Sequence, residues 1–339
     1  MSVDPQPGNT SADALPLRIA TVGLSPTAVF HLEAAAIRNE LIPVAAARTD
    51  DEESSAEPVP GCLVCNIDEL VARSDVEAVF VSGPDIERVE IAIRLLQSGK
   101  HVIIEPSWGL QAESIERLIT AAETCGNFCE FWRPYNADPD FRRAAQVVEL
   151  GEAGPARHVR FLQHDMSAAM LPSSSSANSR DQLTESTLRD LVGHRIAQAV
   201  TLINEPVKTI TAGFRREPIS FGEREPFHKV TPNGDTNFHA VIDFENEATA
   251  VIDIGLACPA PFSTGWIVQG NKGGYHSERQ YITVDDGEIY DVAVEIEPFD
   301  PYLNLNEQVT KWGDQSTKDD SQARLQSELK LAELLNAIQ

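Results

Sequence analysis

The chain has 339 residues, of which 42% are apolar and 23% are charged. This length and composition predict a globular protein of about two domains with a substantial core. Its 52 acidic residues outnumber its 27 basic residues, giving a formal net charge of −25. Such a charge repels nucleic-acid phosphates and anionic lipids, so we exclude nucleic acid and membrane as partners.

The start of the chain does not resemble a targeting segment. The first 16 residues contain Pro, Gly, Ser and Asp and lack the apolar stretch of a signal peptide. No apolar run approaches the ~18 residues of a membrane span. We expect residues 1–16 to be a disordered tail and the protein to be cytoplasmic.

The five cysteines do not indicate a disulfide framework, since their number is odd. Cys62 and Cys65 could share a zinc ion with Cys125 and Cys129. However, the two pairs lie in or beside strands that we expect at opposite edges of one sheet, too far apart for a tetrahedral site. We predict buried thiols and no metal.

Strands and helices alternate along residues 17–136. The apolar run LRIATVGL ends beyond Gly23, and Ser25 and Pro26 suit the N-cap and first position of a helix over 26–38. Continuous apolar strands separated by amphipathic helices indicate βαβ crossovers and a doubly wound, Rossmann-type parallel sheet of order 3-2-1-4-5-6. The further strands are predicted at 41–48, 62–65, 76–83, 101–106 and 127–132.

The pattern changes after residue 136. A helix at about 186–204 is followed by alternating segments such as VKTITAGF, NFHAVIDFEN and ATAVIDIGL, and a last helix spans about 320–338. Alternation between polar turns predicts a large, mainly antiparallel sheet with one open face. The fold class is therefore α/β followed by an α+β domain over 137–339. Ser173–Ser176 is predicted to be a mobile loop.

Four segments in this order resemble the glucose–fructose oxidoreductase / inositol dehydrogenase (Gfo/Idh/MocA) family: GPDIERVEIAIRLLQSGKHVIIEP, DPDFRRAAQVVELGEAGPARHVRF, DLVGH and VQGNKGG. The resemblance covers residues 17 to 339. It implies a dinucleotide-binding domain over 17–136 and a substrate domain whose open sheet forms a homodimer or homotetramer. It also implies NAD(P)-dependent oxidation or reduction of a sugar- or cyclitol-like small molecule.

The loop after the first strand is the first candidate cofactor site. Dinucleotide binding favours G-x-G-x-x-G, and the chain has Gly23, Ser25 and Ala28 at the glycine positions. Ser25 adds a side chain where the pyrophosphate approaches, and Pro26 lacks an N–H. Gly23, Ser25, Pro26 and Thr27 are our candidate phosphate ligands. The alternative is an ordinary strand–helix turn.

Four further residues are assigned to the cofactor from their positions after strands. Arg48 follows the second strand, where an acidic residue would bind ribose, and an arginine there favours NADP over NAD. A solvent-exposed strand-end arginine is the alternative. Gly83 and Pro84 follow the fourth strand and Glu105 the fifth. Glu105 could instead shape its loop through backbone hydrogen bonds.

The resemblance also points to a degenerate active site. The family has Glu-Lys-Pro after the fifth strand, and its lysine contacts the substrate, whereas this chain has Glu105-Pro106-Ser107. Arg88 stands where the family has a histidine. The catalytic candidates are Asp190 and His194, four residues apart on a helix. The resemblance makes His194 the general acid/base and Asp190 its orienter or a substrate ligand; a buried, hydrogen-bonded histidine is the alternative.

Three functions remain open from the sequence. The first is an NAD(P)-dependent oxidoreductase. The second is a non-catalytic relative that binds a nucleotide or sugar as a sensor or partner subunit, which the altered phosphate loop and missing lysine favour. The third is a structural subunit that works through its open sheet. His31, on the first helix, is expected on the helix surface or in a domain contact.

Overall fold

The structure is a computed structural model, and several earlier expectations lie outside the residues that it describes. These are the tail over 1–15, the loop Ser173–Ser176, and the pair Gly83 and Pro84. The structure describes residues 16–49, 58–82, 85–106, 110–165, 177–216, 235–258, 262–276, 279–283, 289–293, 315–338 and the single positions 302, 305, 308, 309, 311 and 312.

The chain divides into two compact units, and the first contains a six-stranded parallel sheet. Its order is β3-β2-β1-β4-β5-β6, so the predicted Rossmann-type sheet is confirmed. The strands are β1 (Leu17–Val22), β2 (Leu41–Ala47), β3 (Leu63–Cys65), β4 (Ala78–Val81), β5 (His101–Ile104) and β6 (Cys129–Phe131). All but β3 are buried along most of their length, because helices cover both faces of such a sheet.

The helices of the first unit begin and end where local chemistry favours it. They are α1 (Pro26–Ala36), α2 (Ile67–Ala72), α3 (Asp85–Gln97) and α4 (Ala112–Cys125). A capping box between Asn66 and Glu69 starts α2. Gly126, at φ 68°, ends α4 in the left-handed conformation that glycine adopts without strain.

The first unit also includes a return of the chain that the sequence boundary at residue 136 did not anticipate. It comprises Met1–Glu105, Leu110–Trp132 and Asp300–Leu329. Tyr302 and Leu305 are buried in the same apolar cluster as Phe80 of β4. A large buried aromatic side chain contributes strongly to a core, so this later segment is an integral part of the first unit.

The second unit contains an eight-stranded mixed sheet, ordered β14-β13-β12-β11-β7-β10-β9-β8. Only β7 and β10 pair in parallel, which confirms the predicted mainly antiparallel sheet. The strands are β7 (Ala156–His164), β8 (Val207–Arg215), β9 (Asn237–Phe244), β10 (Thr249–Gly255), β11 (Phe262–Gly270), β12 (Gly273–His276), β13 (Arg279–Thr283) and β14 (Ile289–Ala293). The elements β7 and β12 had not been predicted as strands.

Helices cover one face of this sheet. They are α5 (Pro139–Glu149), α6 (Ala177–Ile203) and the last turns of α7 (Gln315–Asn336). Along β9, residues from Phe238 to Phe244 alternate between buried apolar positions and exposed positions, as a half-covered strand requires. Leu331 and Leu335 of α7 pack into this core.

Candidate functional site

Five residues form a row immediately beyond the carboxyl ends of the parallel strands. Each donates its backbone N–H to the neighbouring strand at 2.7 to 3.1 Å, so the row continues the register of the sheet. In a doubly wound sheet ligands bind at this edge, outside the carboxyl ends of the strands. The residues are Arg48, Gly23, Ser82, Glu105 and Trp132.

The mouth of helix α1 opens beside Gly23, which has a φ of 90° and so turns the chain in a way that glycine favours. The Ser25 side chain caps the helix by accepting a hydrogen bond from Ala28 N at 3.2 Å. Of the first three helical positions, Pro26 has no N–H and the N–H of Ala28 is already hydrogen-bonded. A pyrophosphate that binds at this helix terminus must therefore compete with the Ser25 cap. The side chains of Pro26 and Thr27 lie outside the described residues.

The row of residues beyond the strands carries buried polar atoms. These atoms are better suited to bind a dinucleotide than the N-terminus of α1 is. Ser82 Oγ and Glu105 Oε1 are shielded from solvent and have no hydrogen-bond partner within the described part of the chain. A buried polar atom without a partner is costly, so such atoms are usually satisfied; Ser82 Oγ is left for a ligand, whereas Glu105 Oε1 faces His31 Nε2. Arg48 is exposed at the end of β2, where a 2′-phosphate could reach it.

Glu105 is fixed by its backbone on both sides. Its N–H donates to Val81 O at 3.1 Å, and its carbonyl accepts a hydrogen bond from Arg88 Nη1 at 2.6 Å. Arg88 is buried, so it ties α3 to the end of β5. One oxygen of the carboxylate, Oε1, lies 3.4 Å from His31 Nε2.

His31 is not on the helix surface, because its side chain is fully buried within the first unit. Its ring stacks on Phe80 with centroids 4.2 Å apart and meets Trp132 edge-on at 5.2 Å. Its Nδ1 lies 2.7 Å from the Tyr302 hydroxyl. This histidine is therefore an enclosed polar group inside an aromatic cluster, directly beneath the row.

In the second unit, the catalytic candidate His194 is buried on α6. Its ring packs against Tyr135 with centroids 4.8 Å apart, and Arg133 Nη1 lies 3.4 Å from Nδ1. Burial, together with the charges of Arg133 and Arg195, lowers the pKa of the imidazole well below its usual value. His194 is consequently neutral at pH 7.

The neighbouring Arg195 is also buried and holds this region together. Its guanidinium lies 3.3 Å from Asp138 Oδ2 and donates to Gln198 Oε1 at 2.8 Å. It also lies over the rings of Tyr135 and Phe161, 5.0 and 4.3 Å from their centroids. These contacts fix Tyr135 against His194, since Gln198 in turn donates to the Tyr135 carbonyl at 2.7 Å.

Asp190 and His194, which the spacing paired as orienter and acid/base, differ in their surroundings. Asp190 is exposed, while His194 is buried and has Arg133 at its ring nitrogen instead. Residues four apart on a helix differ by about 40° in direction, so burial can separate them. Arg133 was missed by the sequence analysis; the available signal was its position two residues beyond β6, before Pro134.

Within the part of the chain that the structure describes, no group of three or more His, Cys, Asp or Glu side chains could hold a metal ion. None of the five cysteines, all of which lie in the described part of the chain, forms a disulfide bond. Among the described helices, none combines the length and the apolar character needed to cross a membrane.

Models of known protein families match both units of the chain. A model of the oxidoreductase family with an NAD-binding Rossmann fold matches residues 17–131. A model of the GFO/IDH/MocA C-terminal domain matches residues 141–276. The two matches fall on the parallel sheet and on most of the second, mixed sheet, in the order that the sequence segments suggested.

Two individual relatives have modest sequence identity to this chain. An uncharacterized oxidoreductase of Schizosaccharomyces pombe is 29% identical over 197 residues, which are 56% of this chain and 53% of that protein. The chain thus spans about half the length of that relative. The scyllo-inositol 2-dehydrogenase (NADP(+)) of Bacillus subtilis is 25% identical over 255 residues, 75% of this chain and 66% of that protein.

Solved structures share the fold. The crystal structure of an NAD-binding protein from Listeria innocua has a TM-score of 0.71 at 16% identity and covers 96% of this chain and 97% of that one. An identity this low speaks for the architecture alone.

Proposed function

Because the chain belongs to the Gfo/Idh/MocA oxidoreductase family, we propose that it binds a nicotinamide dinucleotide and reduces or oxidises a small polyhydroxylated keto or hydroxyl compound. The observation that carries this proposal is the row beyond the parallel strands, where Ser82 Oγ is buried without a hydrogen-bond partner among the described residues and the Glu105 side chain is partly exposed. A ligand with several hydroxyl groups, such as the riboses of a dinucleotide, can bond to the Ser82 hydroxyl and donate to the Glu105 carboxylate.

The cofactor that these residues favour is NADP. Arg48 is exposed beyond β2 and carries the fixed, forked set of donors that suits a phosphate. Ser82 and Glu105 would hold hydroxyl groups, and the amide end of α1 would face the pyrophosphate. A scyllo-inositol dehydrogenase among the relatives is named for NADP, in keeping with this assignment. When bound, the nicotinamide supplies or accepts the hydride.

His194 is proposed to act on the substrate oxygen as a neutral hydrogen-bond donor. The Arg133 guanidinium can only donate, so the lone pair of His194 faces it on Nδ1 and the proton is on Nε2. A neutral imidazole N–H polarises a carbonyl without first taking up a proton, a role known for histidines of lowered pKa. The same hydrogen bond stabilises the negative charge that develops on the substrate oxygen in either direction of the reaction.

The substrate domain is also proposed to carry a homodimer or homotetramer contact on the open face of its sheet. Along β9 this face presents His239, Val241 and Asp243 to solvent. A mixture of one apolar and two polar groups suits a contact between identical chains, in which each group meets its own copy or a neighbour.

A second candidate is a relative that binds the dinucleotide without turning it over. Two features favour it: the Ser25 cap on the mouth of α1, and Pro106 in place of the family's lysine. The two candidates differ in chemistry and not in fold, so only turnover separates them.

The deciding experiment follows oxidation of NADPH by absorbance with a panel of sugar-, cyclitol- and carboxylate-bearing ketones. Turnover that His194→Ala reduces at least a hundredfold, at unchanged NADPH affinity, supports the oxidoreductase. NADPH binding without turnover on any panel member supports the second candidate. The matched control is His164→Ala, which removes a half-buried histidine of β7 that pairs with Asp253.

A further inference from the structure

Two polar atoms face each other at the edge of the aromatic cluster of the first unit. His31 Nε2 and Glu105 Oε1 lie 3.4 Å apart, and both are buried without a hydrogen-bond partner among the described residues. The His31 side chain has no exposed surface, and that of Glu105 is 18% exposed. The carboxylate is close enough to the imidazole for the ring to influence its orientation, although no hydrogen bond joins the two groups.

The orientation of His31 is set from its other side. The Tyr302 hydroxyl lies 2.7 Å from Nδ1, and the stacked ring of Phe80 and the edge-on ring of Trp132 leave the imidazole no room to rotate. A lone pair on Nε2 facing the carboxylate would be repelled, so the tautomer with the proton on Nε2 is favoured, with Tyr302 donating to Nδ1. The Nε2 proton then lies on the side of the ring that faces Glu105, with Nε2 3.4 Å from Oε1.

Glu105 is the end of this chain of contacts. Because Oε1 is shielded by His31, a ligand reaches the carboxylate through Oε2. The backbone of Glu105 is already held by β4 and by Arg88, so the side-chain torsions are the freedom that remains. Fixing them in advance lowers the entropic cost of binding.

We propose that His31 is a positioning residue for the cofactor: held by Tyr302, it fixes the Glu105 carboxylate so that Oε2 accepts a hydrogen bond from a ribose hydroxyl of the bound dinucleotide. This inference rests on the proposed function. It gives a role to a histidine that the acid/base chemistry of the second unit does not use, and to a tyrosine from the returning segment of the chain.

The test is a double-mutant cycle on NADPH affinity, measured by nicotinamide fluorescence with the full chain. His31→Phe keeps an aromatic ring against Phe80 but removes the Nε2 proton. It should weaken binding about tenfold, because the carboxylate loses the polar neighbour that holds its orientation. Glu105→Gln should weaken it at least as much. In the Glu105→Gln background, His31→Phe should then change the affinity less than about twofold, because the effect passes through the carboxylate.

Two controls separate positioning from general packing. Tyr302→Phe leaves the imidazole in place and should weaken NADPH binding about threefold, again only when Glu105 is present. It also keeps the test decisive if His31→Phe does not fold. His101→Phe replaces a half-buried histidine, which accepts from Phe128 N at the opposite end of β5, and should leave the affinity unchanged.

The outcomes are distinguishable. If His31→Phe or Tyr302→Phe weakens binding equally with and without Glu105, the role is structural and the inference is wrong. If neither changes the affinity of a protein that binds NADPH, the inference alone fails. If the unmodified protein binds neither NADPH nor NADH, the proposed function fails and takes this inference with it.

Discussion

The capped mouth of α1 should limit dinucleotide affinity, and removing the cap should raise it. Ser25 Oγ engages the Ala28 N–H at 3.2 Å, so Ser25→Gly releases an amide that can donate to the pyrophosphate. A hydrogen bond to a charged group contributes ~1.5–3 kcal/mol, and the ligand no longer has to displace a cap. We expect NADPH to bind at least about tenfold more tightly.

The stability cost of this change should be small. Ser25 has φ −59° and ψ 159°, which glycine adopts readily, and replacing an N-cap serine by glycine costs only a few tenths of a kcal/mol. Ser25→Ala is the matched control: it frees the same amide but keeps a Cβ, at a cost of ~1 kcal/mol in the free energy of unfolding. If both substitutions tighten NADPH binding, the hydrogen bond of the cap is the obstacle. If only Ser25→Gly tightens it, the Cβ of residue 25 is the obstacle.

Isothermal titration calorimetry with NADPH measures the affinity, and thermal denaturation measures the stability. An unchanged or weaker affinity for Ser25→Gly would refute the reasoning. It would mean that Ser25 itself contacts the phosphate or that the pyrophosphate does not approach this helix.

Three further predictions concern the cofactor, the histidine of the second unit and a half-buried carboxylate. Arg48→Ala should weaken NADPH binding at least about tenfold and leave NADH binding unchanged, measured by fluorescence titration; equal losses would remove Arg48 from 2′-phosphate recognition. The free energy of unfolding should fall as pH drops below 6.5, because the unfolded chain takes up a proton that buried His194 refuses. His194→Gln should remove up to about 1.4 kcal/mol per pH unit of this slope in urea denaturation, and an unchanged slope would contradict the lowered pKa. Tyr275→Phe should cost ~1.5–3 kcal/mol, because Asp140 loses a 2.6 Å hydrogen bond from the tyrosine hydroxyl and keeps only the one from Trp266 N; a loss below about 0.5 kcal/mol would show that water replaces it.

The parallel sheet could be predicted because its signals are local. Strands of three to seven residues alternate with amphipathic helices, and the N-cap at Ser25 and the stop at Gly126 act within one helical turn. The residue row beyond the strands follows from the same pattern. For this reason Arg48 and Glu105 were identified as candidates before the structure was described.

The surroundings of the candidate histidines could not be predicted, because they depend on contacts between distant segments. His31 meets Tyr302 across 271 positions, and Arg133 meets His194 across 61. Helix spacing alone paired Asp190 with His194, but spacing does not determine burial, and the pKa of His194 follows from burial and two arginines.

The measurement that tests the account most directly is a titration of the unmodified protein with NADPH and NADH, following nicotinamide fluorescence. We predict that both dinucleotides bind saturably and that NADPH binds more tightly than NADH because of Arg48. Absence of saturation by either dinucleotide up to millimolar concentration would contradict it, and with it the assignment of the row beyond the parallel strands as a cofactor site.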